Sequence, residues 1–238
     1  MARNPVSSLA HAYLDAFSEL LHKHAPESAV AKFSKLVAGK KLDAISSNAL
    51  YFVTHPASGK NLKEELLSRA NQAKNVIDQC TSQMSDFAKK RMASKTVVAH
   101  PLSTFSALLL RDAKEVRFTN ADNEAIKLLP ETDMDVHHPL TSYTALENAD
   151  LLLLEPSAIT AKGVFVERGG RILAELARAR GMPVYALATS WHTSPNWKPG
   201  QTDEHVPQEF LTGIISEHGI YEHNEFLAKV QKAFPWML

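Results

Sequence analysis

The sequence predicts an α/β fold: an N-terminal helical region over residues 1–93, then a Rossmann-like domain with a parallel sheet over residues 94–238. Up to Ala93, apolar residues recur at helical spacing. Beyond Lys95, short apolar runs at 96–100, 150–154 and 183–188 alternate with helical stretches. Those runs are apolar at consecutive positions, as strands are when both faces of their sheet are covered. Strand, helix, strand at this spacing implies βαβ units and a doubly wound sheet.

Taken in order, Leu9, Tyr13, Ala16, Phe17, Leu20 and Leu21 mark a first helix. Ser28 is placed to cap a second one carrying Val30, Phe33, Leu36 and Val37, with Gly39 as its stop. Residues 48–53 fit either a short helix end or a strand. His55-Pro56-Ala57-Ser58-Gly59 reads as a loop. A long amphipathic helix over 61–92 turns Leu62, Leu66, Ala70, Ala73, Ile77, Cys80, Met84 and Phe87 inward, with Cys80 half-buried. The strand at 96–100 ends at Pro101. A helix at 103–112, a strand at 115–119 and a helix at 122–129 follow. His137-His138-Pro139 falls in a polar loop, and 140–146 fits no single pattern. After the strand at 150–154 comes a helix at 170–180, ended by Gly181, and a strand at 183–188. Leu211, Ile214 and Ile215 read as an apolar stripe at helical spacing, to be covered by a partner subunit or by the chain's own sheet.

Composition bounds the function. Of 238 residues, 45% are hydrophobic and 22% charged, enough for a sizeable core in a globular protein. Lys+Arg and Asp+Glu both total 26, so no strong electrostatic footprint for nucleic acid or an anionic membrane is expected. Cys80, the single cysteine, cannot form an internal disulfide. No secretory leader or membrane span is read, and cytoplasmic residence is the default expectation. The 11 histidines show no spacing that fits a metal site. No metal and no cofactor are expected.

Three blocks resemble a known family. One is Val97-Val98-Ala99-His100-Pro101-Leu102-Ser103. The second runs from Asp150 through Glu155-Pro156-Ser157 to Glu167-Arg168-Gly169-Gly170-Arg171. The third is Val206-Pro207-Gln208-Glu209-Phe210-Leu211-Thr212-Gly213-Ile214-Ile215-Ser216-Glu217-His218-Gly219-Ile220. Their order and spacing are similar to the family of translation initiation factor 2B regulatory subunits, which includes the ribose-1,5-bisphosphate and methylthioribose-1-phosphate isomerases. The resemblance implies a helical region on a Rossmann-like domain and a homodimer. It also implies contacts with other initiation-factor subunits and a phosphorylated small molecule as ligand. The isomerases use a Cys and an Asp, which fall here on Pro101 and Ser157. Pro has no proton to give, and a lone Ser hydroxyl is a poor acid or base. The resemblance therefore implies a non-catalytic, regulatory, ligand-sensing member. The alternative is a sugar-phosphate aldose–ketose isomerase with a rearranged site.

A parallel sheet places ligands beyond the carboxyl ends of its strands, so the loops at 100–104, 155–171 and 188–192 define the expected crevice. The candidate phosphate-binding residues are His100, Ser103, Ser157, Arg168, Gly169, Gly170 and Arg171, and no catalytic residue is assigned. A helix opening at a Gly pair exposes backbone N–H groups, and Arg can clamp the same oxygens. The competing reading gives the glycines to close packing and the arginines to a solvated rim, with Glu167 holding one of them. His100 reads either as a ligand contact or as a half-buried histidine bonded to a loop carbonyl. Ser103 and Thr104 read as helix caps or phosphate contacts. A Ser/His/Asp hydrolase lacks its Gly-x-Ser-x-Gly turn here, which leaves Ser157 a weak nucleophile.

Overall fold

A computed structural model of the chain describes residues 8–38, 40, 42–55, 61–121, 123–129 and 142–238. Gly39, the expected loop beyond His55, His137-His138-Pro139 and residues 140 and 141 lie outside these residues. The N-terminal region is helical: α1 (Ser8–Lys23), α2 (Pro26–Val37), α3 (Ala44–Thr54) and α4 (Leu62–Met92). Pro26 starts α2 at its first position, after Ala25. Ser28 is thus not the cap, because the fixed φ of proline already suits the first helical turn. Residues 48–53 are helical. Asp43 caps α3, accepting from the Ser46 backbone N–H at 2.7 Å and its hydroxyl at 2.8 Å.

The inward stripe of α4 follows the predicted positions as far as Met84. Below that, a step of four residues places Ala88 and Met92 in the core and turns Phe87 out. Leu9 and Leu36 are also exposed, because the buried stripes run through Ala10, Leu14, Phe17 and Leu21 in α1 and through Ala29 and Phe33 in α2. Cys80 is buried rather than half-buried. Burial, then the Glu217 carboxylate beside it, pushes its thiol pKa up, so it is held as the unreactive thiol.

The α/β part comprises β1 (Thr96–His100), α5 (Thr104–Leu109), β2 (Glu115–Phe118), α6 (Asn123–Leu128), α7 (Ser142–Ala145), β3 (Leu151–Leu154), β4 (Pro156–Thr160), β5 (Gly163–Glu167), α8 (Gly170–Ala179), β6 (Val184–Leu187), β7 (Asp203–Pro207), β8 (Gly213–Ser216), β9 (Gly219–Tyr221) and α9 (His223–Ala233). The main sheet has the order β2-β1-β3-β6-β8-β9, parallel except for the β8–β9 pair. Val97, Val98, Leu152, Leu153, Val184 and Ala186 are all fully buried in it. Side chains alternate between its faces. Val98, Leu152, Leu154, Val184, Ala186 and Ile214 pack with α1 to α3, the first half of α4, α8 and α9. Val97, Ala99, Leu153, Leu187 and Ile215 pack with the end of α4, α5 and α6. Helix α4 thus joins both cores.

Two expectations are corrected. Residues 156–167, read as part of a strand-end loop, form the β4–β5 hairpin, which β7 extends into a second, antiparallel sheet. The hairpin turns at Gly163, whose φ is +143° and where a Cβ would lie 2.2 Å from the Val206 carbonyl oxygen, so only glycine fits. Ile214 and Ile215 are strand, not helix: β8 pairs with β6 and buries both residues. The chain's own sheet thus covers Ile214 and Ile215, while Leu211 is half-buried against the same core. Among the described residues, no helix is long and apolar enough to cross a membrane.

Candidate functional site

Strands β1 and β3 end side by side, with His100 paired to Leu154. His100 is buried, and its Nε2 lies 3.1 Å from the Glu167 carbonyl oxygen. A carbonyl only accepts, so Nε2 carries the hydrogen and Nδ1 accepts from the Thr119 hydroxyl at 2.6 Å. Burial holds the ring below the usual histidine range, against the opposing pull of Glu167 and Glu204. His100 is therefore a neutral tie between β1, β2 and the end of β5, with both nitrogens in use.

The glycine pair answers to that ring. Gly169 has φ +100°, and a Cβ on Gly170 would lie 2.4 Å from Val166 Cγ2 and 3.0 Å from His100 Cδ2. Close packing therefore requires Gly170. The N-terminus of α8, where phosphate was expected, already holds a carboxylate. Glu204 on β7 accepts from the Gly169 N–H at 2.9 Å and the Arg171 N–H at 3.4 Å. Arg168 donates to the Gln201 carbonyl at 2.7 Å, and Arg171 pairs with Glu175 at 2.9 Å. Among the described residues Glu167 pairs with no arginine; it accepts from Asn120 at 2.8 Å.

The serines are engaged as well. Ser103 caps α5, accepting from the Phe105 and Ser106 N–H groups, while its hydroxyl donates to Glu155 at 2.7 Å. Ser157 donates to Asp203 at 3.3 Å. The structure thus brings His100, Gly169 and Gly170 into contact and holds Ser103 and Ser157 each on a carboxylate. It turns the two guanidinium groups to other partners. Sequence reading missed Glu155, Asp203 and Glu204. Glu155 ends an apolar run, a weak signal. Glu204 gave none, since it reaches α8 only through the pairing of β7 with β5, where it faces Val166.

The third loop is sealed. Thr189, Ser190, Trp191, His192 and Thr193 are all buried. Asn48 of α3 donates from one amide nitrogen to the Trp191 carbonyl at 2.9 Å and the Thr193 carbonyl at 2.8 Å. His192 accepts from the Thr189 N–H at 3.0 Å, and burial lowers its pKa to about 4. Ser190 Oγ lies 3.0 Å from His218 Nε2, with Glu217 3.7 Å from that same nitrogen. A hydrolase triad places the carboxylate on the other ring nitrogen and its serine within reach of substrate. Neither condition holds here. Among the described residues, no group of three or more His, Cys, Asp or Glu could hold a metal ion.

No family model matches the chain, and no curated protein matches its sequence. Solved structures do. Translation initiation factor eIF-2B from Pyrococcus horikoshii OT3 superposes with a TM-score of 0.76 at 19% identity, over 91% of this chain and 90% of that one. A chain of the tetrameric eIF2B-beta2-delta2 complex from C. thermophilum gives 0.68 at 15% identity, over 94% and 88%. The 5-methylthioribose 1-phosphate isomerase from Pyrococcus horikoshii OT3 gives 0.69 at 12% identity, over 95% and 83%. The fold of this chain, helical region and parallel sheet together, is the one shared by initiation factor 2B subunits and that isomerase.

Proposed function

We propose that the chain is a non-catalytic, initiation-factor-2B-like protein that acts through contacts with other subunits. One observation carries this reading: the groups at the β1 and β3 ends are spent on the fold. Pro101 has no proton to exchange, Ser157 is tied to Asp203, and both His100 nitrogens are bonded. Similar structures include a subunit complex, which favours assembly as the mode of action. In this reading the chain is cytoplasmic, divides into parts at 1–93 and 94–238, and pairs as a homodimer through its α/β part. Light scattering at micromolar concentration then reports about twice the 26.3 kDa chain mass, and a monomer at that concentration rejects the dimer.

Ligand sensing is the finer part of the proposal. The anion subsite comprises His100, Ser103, Ser157, Arg168, Gly169, Gly170 and Arg171, and a phosphorylated molecule enters it by displacing Glu204 from the α8 N-terminus. What favours this is that the chain already keeps an anion there. The isomerase alternative needs an acid or base that neither Pro101 nor Ser157 supplies.

A further inference from the structure

We propose that a second cavity, between the end of α3, α4 and the C-terminal turn at Pro235–Met237, binds an uncharged planar heteroaromatic ring of the nucleobase or nucleoside class. The cavity measures about 420 Å³ and is lined by Tyr51, Phe52, His55, Arg69, Gln72 and Trp236. Small-molecule sites run from about 300 to 1,000 Å³ and are mostly apolar, with a few placed polar groups. It shares no residue with the strand-end crevice and does not depend on the function proposed there.

Three features define the occupant. The first is flatness. The Tyr51 ring lies parallel to the His55 ring, at 4.5 Å and 5°, and nearly parallel to Trp236, at 5.7 Å and 17°. Tyr51 is nevertheless 47% exposed. An exposed run of stacked rings is a platform for one more flat ring, and stacking accepts any base because every base has a π-face. The second is rigidity. Phe52 and Trp236 continue the cluster inward to the buried Trp191, at 6.1 and 5.8 Å, so little side-chain freedom is lost on binding. The third is charge. Arg69 pairs with Glu65 at 2.6 Å and donates to the His55 carbonyl at 3.2 Å, so its charge is neutralised in place. A phosphate would gain little there. The exposed amide of Gln72 supplies both a donor and an acceptor for the polar edge of a ring.

Saturation-transfer NMR on the full chain tests this, with adenosine, adenosine monophosphate and ribose 5-phosphate as probes. The proposal expects saturation on the adenine ring protons of both adenosine and its monophosphate, at similar affinity, and an adenosine signal that ribose 5-phosphate does not displace. Tyr51→Leu keeps an apolar side chain but removes the stack, and should weaken adenosine binding about tenfold or more. Gln72→Ala, on the exposed face of α4, should weaken it without changing the melting temperature. Absence of adenosine signal in the wild type overturns the proposal, as does an unchanged signal in both variants. Tenfold tighter binding of the monophosphate that Tyr51→Leu removes would overturn the claim that the ligand is uncharged.

Discussion

At Gly170 the side chain that is missing decides the local packing. Gly170→Ala drives a methyl into Val166 and the His100 ring, and should cost about 1–3 kcal/mol in urea unfolding. Equal stability would show that β5 and α8 yield more easily than their spacing implies. Glu204→Gln removes the charge that faces the α8 dipole and should lower stability by about 0.5–1 kcal/mol. The same variant should respond to inorganic phosphate with a larger rise in melting temperature than the wild type, because the internal competitor is gone. No rise in either protein contradicts the anion subsite. Arg168→Ala should leave the unliganded melting temperature almost unchanged, since the side chain is exposed and its guanidinium bonds the Gln201 carbonyl; it should also abolish any phosphate response. The pattern Glu167-Arg168-Gly169-Gly170-Arg171 allowed both an anion site and a packing site when read from sequence. What decides the glycines is His100, whose ring meets them only once the second sheet folds over the end of β1 and brings the Glu167 carbonyl to Nε2.

Among the elements, α3 carries an outsized share through Asn48, which serves two carbonyls of the 190–193 turn at once. Asn48→Ala strands both carbonyls in a buried place and should cost about 2–4 kcal/mol in the same unfolding assay; a loss below about 1 kcal/mol would mean that water replaces the amide. His192 in that turn makes stability depend on pH. Its pKa falls from 6.5 unfolded to about 4 folded, with burial as the main cause and Asp43 opposing it. The unfolded chain then binds a proton that the folded chain refuses. Stability is full above pH 6.5 and declines as pH drops toward 4, by roughly 3 kcal/mol for this group. His100 and His205 are shifted in the same direction, also chiefly by burial, and add to the decline. His192→Asn keeps an acceptor for the Thr189 N–H and should flatten the profile between those values; an unchanged slope would assign the acid loss elsewhere. The parallel strands were legible because burial on both faces leaves an unbroken apolar run. The β4–β5 hairpin was less so, although Ile159-Thr160 and Val164-Phe165-Val166 flank Ala161-Lys162-Gly163 as hairpin arms flank a turn. Leu211, Ile214 and Ile215 misled because three apolar residues within five positions satisfy a helical and a buried-strand pattern equally well.

For the whole molecule, the sequence and the fold lead to different parts of the answer. The fold matches initiation factor 2B subunits and an isomerase alike, so it cannot separate assembly from catalysis. The proposal of assembly rests instead on the β1 and β3 ends, where Ser103, Ser157 and both His100 nitrogens have partners within the chain. That the resemblance puts the isomerases' Cys and Asp on Pro101 and Ser157 was an expectation from the sequence alone. The self-occupied α8 N-terminus was not legible there, because β7 had to be recognised as a strand before Glu204 had a place. The most direct measurement is turnover of ribose 1,5-bisphosphate and 5-methylthioribose 1-phosphate by the purified chain, followed by NMR of the sugar carbons. The account predicts no isomerisation above buffer for either substrate. Isomerisation by the wild type that His100→Ala abolishes, with the variant still folded, would contradict it.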